Sequence, residues 1–543
     1  MVRPVDGLDR RQFLTRLLAA AAAGGLAACA SDGDSGSGAG NGSGGTGSTA
    51  GGPPEELLAS GLATSPFTLG VSSGDPLPDS VILWTRLAVD PLAADGAGGL
   101  TDDHSVRWEI SADDTFETLV ASGDVAATAA LGHSVHVDVR GLQAGTRYHY
   151  RFRVGEHTSP VGRTGTAPAD GAAVDELRFA LASCQNVEVA YYAAHRSIAE
   201  SDLDLVLFVG DYIYEGAGDP DALRTVPGGK CITLADYRNR YAFYHQDDDL
   251  LAARASCPWI VTWDDHEVEN NYADLDSQAG ASADDFAEQR FAAYQAYYEH
   301  QPIRLDPPES ADWPIHRSAR WGQLVDFFVL DGRQYRDDQP CGSPLDAVVS
   351  RTECDIEAAG ADMLGAEQEQ WLTDGLRAAT ATWKVLAQQT VMSALILGDI
   401  VLNVDQWDGY PQARRRLLDH IAANDIGDVV VLTGDIHTAG CGVLRTDGAE
   451  SVAEPVAVEF VCTSISSNGL ATAVGLDPNT LDPAIFGLTY AELIHRGYCR
   501  CTITPERWST EFLIVEDATD PDSDVTVAAT VVAEQGTPAL TVV

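Results

Sequence analysis

Four short runs in this chain carry residues able to hold metal ions and move protons: Ala182-Ser183-Cys184-Gln185-Asn186, Val209-Gly210-Asp211-Tyr212-Ile213-Tyr214-Glu215, Thr262-Trp263-Asp264-Asp265-His266-Glu267-Val268-Glu269-Asn270-Asn271-Tyr272 and Leu432-Thr433-Gly434-Asp435-Ile436-His437-Thr438. An Asp after Gly at a strand end is often only a turn residue or cap, and a lone His is more often structural than a ligand. Four such runs in order, each behind a strand-like apolar stretch, go beyond capping. A donor set of Cys, Tyr and carboxylates with few imidazoles points away from zinc, toward one strongly acidic metal beside hard, oxygen-bound ones. Thiolate and phenolate are anionic donors that suit Fe³⁺, while carboxylates and an amide oxygen suit Ca²⁺.

The elements that must position these runs are readable from hydrophobic patterning. Leu177–Ala182, Leu203–Val209, Trp259–Trp263, Leu324–Leu330, Val385–Gln388 and Val429–Leu432 are largely apolar and continuous rather than alternating, the pattern of strands buried on both faces. Helical spacing covers Val189–Glu200, Phe286–His300, Ala366–Ala379 and Pro411–Ala423. The spacing therefore predicts an α/β domain over 175–543, with helices covering a central sheet and function at the carboxyl ends of its strands. Its last stretch, Arg507–Val543, reads as strands around an acidic turn at Asp517–Asp524. Ahead of it, short strands at Val81–Leu87, Val106–Ser111, Ser134–Val139 and Tyr148–Val154 predict a β-sandwich domain over 61–170, in the first instance a spacer.

The N-terminus reads as an address. Asp9-Arg10-Arg11-Gln12-Phe13-Leu14 is similar to a Tat signal, and the apolar run Leu17–Ala28 is about 12 residues long, short of the roughly 20 that span a bilayer. Leu26-Ala27-Ala28-Cys29 resembles a lipobox, so 1–28 is expected to be removed and Cys29 to carry a lipid, the one expected membrane contact. Residues 29–60 form a Gly/Ser-rich tether. Outside the cell cysteines tend to oxidise: Cys341 and Cys354 are a reasonable disulfide, Cys184 is left free, and six others stay unassigned. With 34 basic against 81 acidic residues the formal charge is −47, which argues against tight nucleic-acid binding. It leaves the oligomeric state open.

Gly210-Asp211, Asp264-Asp265-His266-Glu267 and Gly434-Asp435-Ile436-His437 resemble the signature of dinuclear metallophosphoesterases. The chain departs from that signature at Cys184, Asp265 and Asp435, and those departures are similar to the PhoD-like branch, the alkaline phosphatase and phosphodiesterase D family. The likeness extends to Phe67–Pro76, Arg333-Gln334-Tyr335-Arg336 and Trp407-Asp408-Gly409-Tyr410, and Gly141–Phe152 resembles a stretch of fibronectin type III domains in which a tyrosine closes a corner of the sandwich. The resemblance implies an α/β fold with a metallophosphatase-type β-sheet core covered by helices, preceded by a small all-β (fibronectin/Ig-like) sandwich. It further implies one iron and two calcium ions, Fe³⁺ on Cys184, Asp211, Tyr214 and His437, and Ca²⁺ on bridging Asp211 with Asn271, Asp435 and Asp265. Asp264 and Asp265 would point opposite ways in an extended stretch, and Asp265 is preferred because it precedes His266; Asn271 over Asn270 is a similar choice. The expected activity is hydrolysis of phosphate mono- and diesters by a metal-activated water, without a covalent intermediate. His266 either protonates the leaving oxygen or holds the cluster from behind, and Arg238, Arg240, Arg333 and Arg336 either bind phosphate or form structural pairs. The competing expectations are a diester-preferring phosphodiesterase and a non-catalytic, metal-binding surface protein.

Overall fold

Successive side chains of a strand point to opposite faces, so a run that is apolar throughout must be covered on both sides. In the computed structural model, which describes residues 62–340, 349–351, 354–446, 453–469 and 487–543, two stacked sheets with helices outside each meet this demand. Leu177–Ala182, Leu205–Phe208 and Pro258–Val261 lie parallel within a ten-stranded sheet. Val325–Val329, Trp383–Ala387, Val429–Thr433 and Ala457–Val461 lie parallel within a seven-stranded one. Phe179, Leu181, Leu207 and Ile260 pack between the sheets against Phe327, Val385, Leu432 and Phe460. The alternate residues Ala180, Val206, Phe208 and Trp259 face outward beneath helices Ala193–Glu200, Leu234–Tyr244, Asp248–Ser256 and Ala283–His300. Phe328, Leu386 and Val431 do the same beneath Gly365–Ala378 and Pro411–Ala423.

The expected central sheet is thus two sheets, each serving as the second cover for the other. The sandwich is also less separate than expected. Its core, including Val81, Leu83, Val106, Ile110, Tyr150 and Phe152, is closed between Val71–Leu77, Ser80–Arg86 and Ser134–Arg140 on one side and a five-stranded sheet on the other. Tyr148 closes the corner, its hydroxyl accepting from the Gln143 N–H at 2.9 Å. Yet Val71–Leu77 pairs in parallel with Pro258–Val261, Ser73 opposite Pro258 and Gly74 opposite Trp259, so the first face continues the ten-stranded sheet. A Cβ at Gly74 would lie 2.2 Å from the Pro302 carbonyl, so this junction requires glycine. At the far edge, Arg507–Val515, Val525–Glu534 and Thr541–Val542 extend the same sheet.

Cys354 is disulfide-bonded. Its expected partner Cys341, the signal and lipobox over 1–28 with Cys29, and the tether to residue 60 lie outside the described residues. If every other cysteine were oxidised, Cys184 alone would remain a thiol; instead Cys184, Cys231, Cys257, Cys441, Cys462, Cys499 and Cys501 are all unpaired and buried. Cys441, Cys462, Cys499 and Cys501 fill space between the sheets as small apolar side chains. Among the described residues no helix is long and apolar enough to cross a membrane.

Candidate metal centre

The carboxyl ends of strands from both sheets meet at one edge. Gln389 stitches them, its amide donating to Thr262 Oγ1 at 3.1 Å and to the carbonyls of Trp263 and Leu330 at 2.8 Å, while Cys184 N–H donates to Gly210 O at 3.1 Å. Beyond each strand the chain turns abruptly. Cys184, Asp211, Asn271, Asp435 and His437 all hold left-handed backbone conformations, with φ of 60°, 59°, 56°, 65° and 53°. That region is costly for residues with a Cβ and persists where surrounding structure enforces it, commonly at functional sites. Here it swings donors inward that strand alternation would have sent to opposite faces.

Three overlapping groups of donor atoms result, each within 4.8 Å: Cys184, Asp211 and His437; Asp211, Asp265 and His266; and Asp264, Asp265 and Asp435. Tyr214 joins the first group. Its hydroxyl donates to Asp211 Oδ2 at 2.8 Å, lies 3.0 Å from His437 Nε2 and accepts from Ser467 Oγ at 2.7 Å. His437 Nδ1 donates to Asn468 O at 2.8 Å, which leaves Nε2 facing the group as an acceptor or ligand atom. Asn271 enters through its backbone, donating to Asp265 Oδ2 at 2.6 Å. Asp264 and Asp265 do not diverge as an extended stretch would make them. The strand ends at Val261, and Val268 and Glu269 N–H both close on Asp265 O at 2.8 Å, a turn that brings both carboxylates to Asp435.

The donor set fits cations. Asp211 Oδ1, Asp264 Oδ2 and Asp265 Oδ1 are buried without a hydrogen-bond donor, a cost a metal ion would relieve. Burial, then the Asp211 charge, push the Cys184 thiol and the Tyr214 phenol well above their usual ranges. Burial pushes Asp435 up to about 7 against the pull of Arg333, with Asp265 and Asp405 adding to it. These shifts share one origin, more anionic donors than a buried volume holds without counter-ions. For His266 the same crowding of carboxylates favours the charged form. Burial would lower its pKa, but Glu215, with Asp265 and Asp211, outweighs burial and holds it well above its ordinary value. Its Nδ1 lies 2.7 Å from Glu215 Oε2, and its ring centroid lies 4.1 Å from that of Tyr214.

The four arginines are all engaged by acceptors of the chain itself. Arg238 forks onto Glu299 with two 2.6 Å contacts, a structural pair distinct from the donor groups. Arg240 donates to the carbonyls of Tyr214 and Gly229, bracing the Tyr214 loop. Arg333 is buried within the cluster, donating to Asp264, to both oxygens of Asp405 at 3.0 and 2.8 Å, and to Asp435 at 3.3 Å. Arg336 donates to Asp405 Oδ1 at 2.5 Å and to Asn271 O at 3.2 Å. Sequence reasoning gave no role to Asp405, to Gln406, which donates to Asp435, or to Glu267. Glu267 accepts from the N–H groups of Asp211 at 3.1 Å, Tyr212 at 2.5 Å and Asp264 at 2.8 Å, so one buried carboxylate fixes two ligand loops. Its place beside His266 in the third run was the only available signal.

Comparison with known proteins gives a concordant picture. Residues 179–512 match the family described as PhoD-like phosphatase, and residues 54–168 match the N-terminal domain of PhoD-like phosphatases. Over 489 residues the chain is 42% identical to Alkaline phosphatase D of Bacillus subtilis (strain 168), an overlap of 87% of this chain and 82% of that one. It superposes on the solved structure of PhoD with a TM-score of 0.82 at 41% identity, covering 89% of this chain and 93% of the other.

Proposed function

The chain belongs to the PhoD-like phosphatase family and is a phosphoric ester hydrolase, and from that premise we propose that it is an exported phosphatase acting on phosphate mono- and diesters with an iron and calcium centre. The observation that carries this reading is the overlap of three groups of donor atoms, Cys184, Asp211 and His437, Asp211, Asp265 and His266, and Asp264, Asp265 and Asp435, whose carboxylates include buried oxygens without donors. Cys184, Tyr214 and His437, with one oxygen of Asp211, form a donor set suited to Fe³⁺. Asp211, with Asp265, Asp435 and the side chain of Asn271, would suit Ca²⁺. Such ions would polarise phosphate oxygens and lower the pKa of an attacking water.

The chain's own residues then orient and protonate. Asn468 O fixes the His437 ring, Ser467 Oγ fixes the Tyr214 hydroxyl, and Glu267 fixes the loops of Asp211 and Asp264. His266, with Nδ1 tied to Glu215 and its proton retained, can donate from Nε2 to the departing ester oxygen. Arg333 offsets part of the carboxylate charge from within, which holds Asp264, Asp405 and Asp435 together. The twin-arginine run and Leu26-Ala27-Ala28-Cys29 support export and lipid attachment, which fractionation of cells making a Cys29→Ala variant would test.

The test of the activity is hydrolysis of p-nitrophenyl phosphate and of its bis ester by the purified protein, with elemental analysis, before and after chelation and in Cys184→Ala. The expected result is iron and calcium in the active protein, with turnover lost on chelation and in the variant. Folded, metal-replete protein that hydrolysed neither ester would sink the proposal.

A further inference from the structure

A phosphatase has to attract an anion, and this chain is poorly disposed to do so. It carries 81 acidic residues, and the arginines nearest the centre are held by carboxylates or carbonyls. Even well-exposed arginines such as Arg147, Arg416 and Arg507 have carboxylate partners.

Arg496 differs. It lies in the turn between strands Leu488–Glu492 and Gly497–Ile503 and is half-buried. All its acceptors are neutral: Asn468 Oδ1 at 2.7 Å from Nη2, Ser467 O at 3.2 Å from Nε, and Ile494 O at 3.3 Å from Nη1. Among the described residues no carboxylate pairs with it, and burial lowers its pKa with no anion to raise it again. A partly desolvated guanidinium without a counter-charge is a standing cost, which an arriving anion would relieve.

Its position supplies the anion. Ser467 and Asn468, which it touches, are also the residues that hold Tyr214 and His437. Asn468 is exposed, and the His437 side chain retains 23% of its accessibility, so this is the solvent side of the centre. Among the described residues Nη2 is held only by an exposed amide that can turn aside, which would free an N–H pair for two phosphate oxygens.

We infer that Arg496 is a substrate-binding residue, its guanidinium holding the anionic oxygens of the phosphate ester at the rim beside His437. This rests on the phosphatase reading above. The experiment uses the full, metal-loaded chain with Arg496→Gln and Arg496→Lys, inorganic phosphate as a competitive inhibitor, p-nitrophenyl phosphate as substrate, and metal content as control. The expected result is that Arg496→Gln raises both the phosphate inhibition constant and KM by about 10–100-fold at unchanged metal content, the scale of a charge-assisted hydrogen-bonded pair. Arg496→Lys, which keeps the charge and most of the packing, should recover part of the loss. Unchanged phosphate inhibition in Arg496→Gln overturns the inference, and so does a loss that tracks metal depletion in both variants, since the side chain would then only brace Ser467 and Asn468. Wild-type protein that neither turns over the ester nor binds phosphate would remove the phosphatase reading, and this inference with it.

Discussion

Glu267 and Glu215 show how much of this site depends on residues that bind no metal in the proposed scheme. The Glu267 carboxylate accepts from three backbone N–H groups, and burial, then Asp211, push it up to about 8. In Glu267→Gln an amide N–H₂ would confront at least one of those donors. Metal content and activity are expected to fall together by about 10–100-fold, as elemental analysis and ester hydrolysis would show; a fully loaded, fully active variant would rule this role out. Glu215→Gln should separate from it, because one Glu215 oxygen holds His266 while the other accepts from the Asn270 N–H, a bond the glutamine oxygen can keep. The expected result is kcat lower by about 10–100-fold with metal retained. Both glutamates were visible in the polar runs, but their work was not. Accepting backbone N–H groups from distant loops leaves no periodicity or spacing to read.

At the scale of elements, the site depends on tight turns after buried strands. Gly210, at φ 111°, precedes Asp211, and a Cβ there would lie 2.4 Å from Asp264 Cβ and 2.6 Å from its backbone nitrogen. Gly210→Ala should therefore push apart the second and third runs and cost about 1–3 kcal/mol or more, visible as a lower melting temperature with loss of bound metal. Most strand positions were legible because runs apolar on both faces are unambiguous when short and β-branched. Two features were not. Helices Leu234–Tyr244 and Asp248–Ser256 escape a periodicity reading because the first buries polar residues as well as apolar ones, Arg238 and Arg240 among Tyr237, Tyr241 and Tyr244, and the second is short. The division into two sheets escapes it because a doubly buried strand looks the same whether a helix or another sheet covers it.

For the whole molecule, stability should follow the centre and the buried histidines. If ions occupy the donor groups, chelation exposes buried like charges, and at about 100 times the dissociation constant the ions contribute about 2.7 kcal/mol. A lower melting temperature after chelation, restored by re-addition of metal, is the expected result. His195 is buried, its Nε2 2.7 Å from Gln185 Oε1; burial, then Arg254 and Arg224, lower its pKa from 6.5 to about 3. Because the unfolded chain takes up this proton first, the stability due to neutral His195 is complete above the unfolded value of 6.5 and drains away as the pH falls toward 3. Near pH 5 the loss should be about 2 kcal/mol. Urea midpoints at pH 7 and pH 5 would show it, and His195→Gln should reduce the difference by about that amount, the buried His136, His245 and His300 supplying the rest.

Candidate donors were legible in the residues alone. Cys184, Asp211, Tyr214, Asp265, Asn271, Asp435 and His437 lie in runs whose composition follows from the chemistry they offer, behind strands marked by their own hydrophobicity. Local pattern is enough for both, because ligand type and strand burial are properties of short segments. Tertiary structure alone decided which charges remain free. Arg238 on Glu299, Arg333 on Asp264 and Asp405, and Arg496 with neutral acceptors are equivalent in a sequence and differ only in what the fold brings against them. Pairing energy depends on distances between segments far apart in the chain, and those distances exist only once the two sheets and the sandwich have closed.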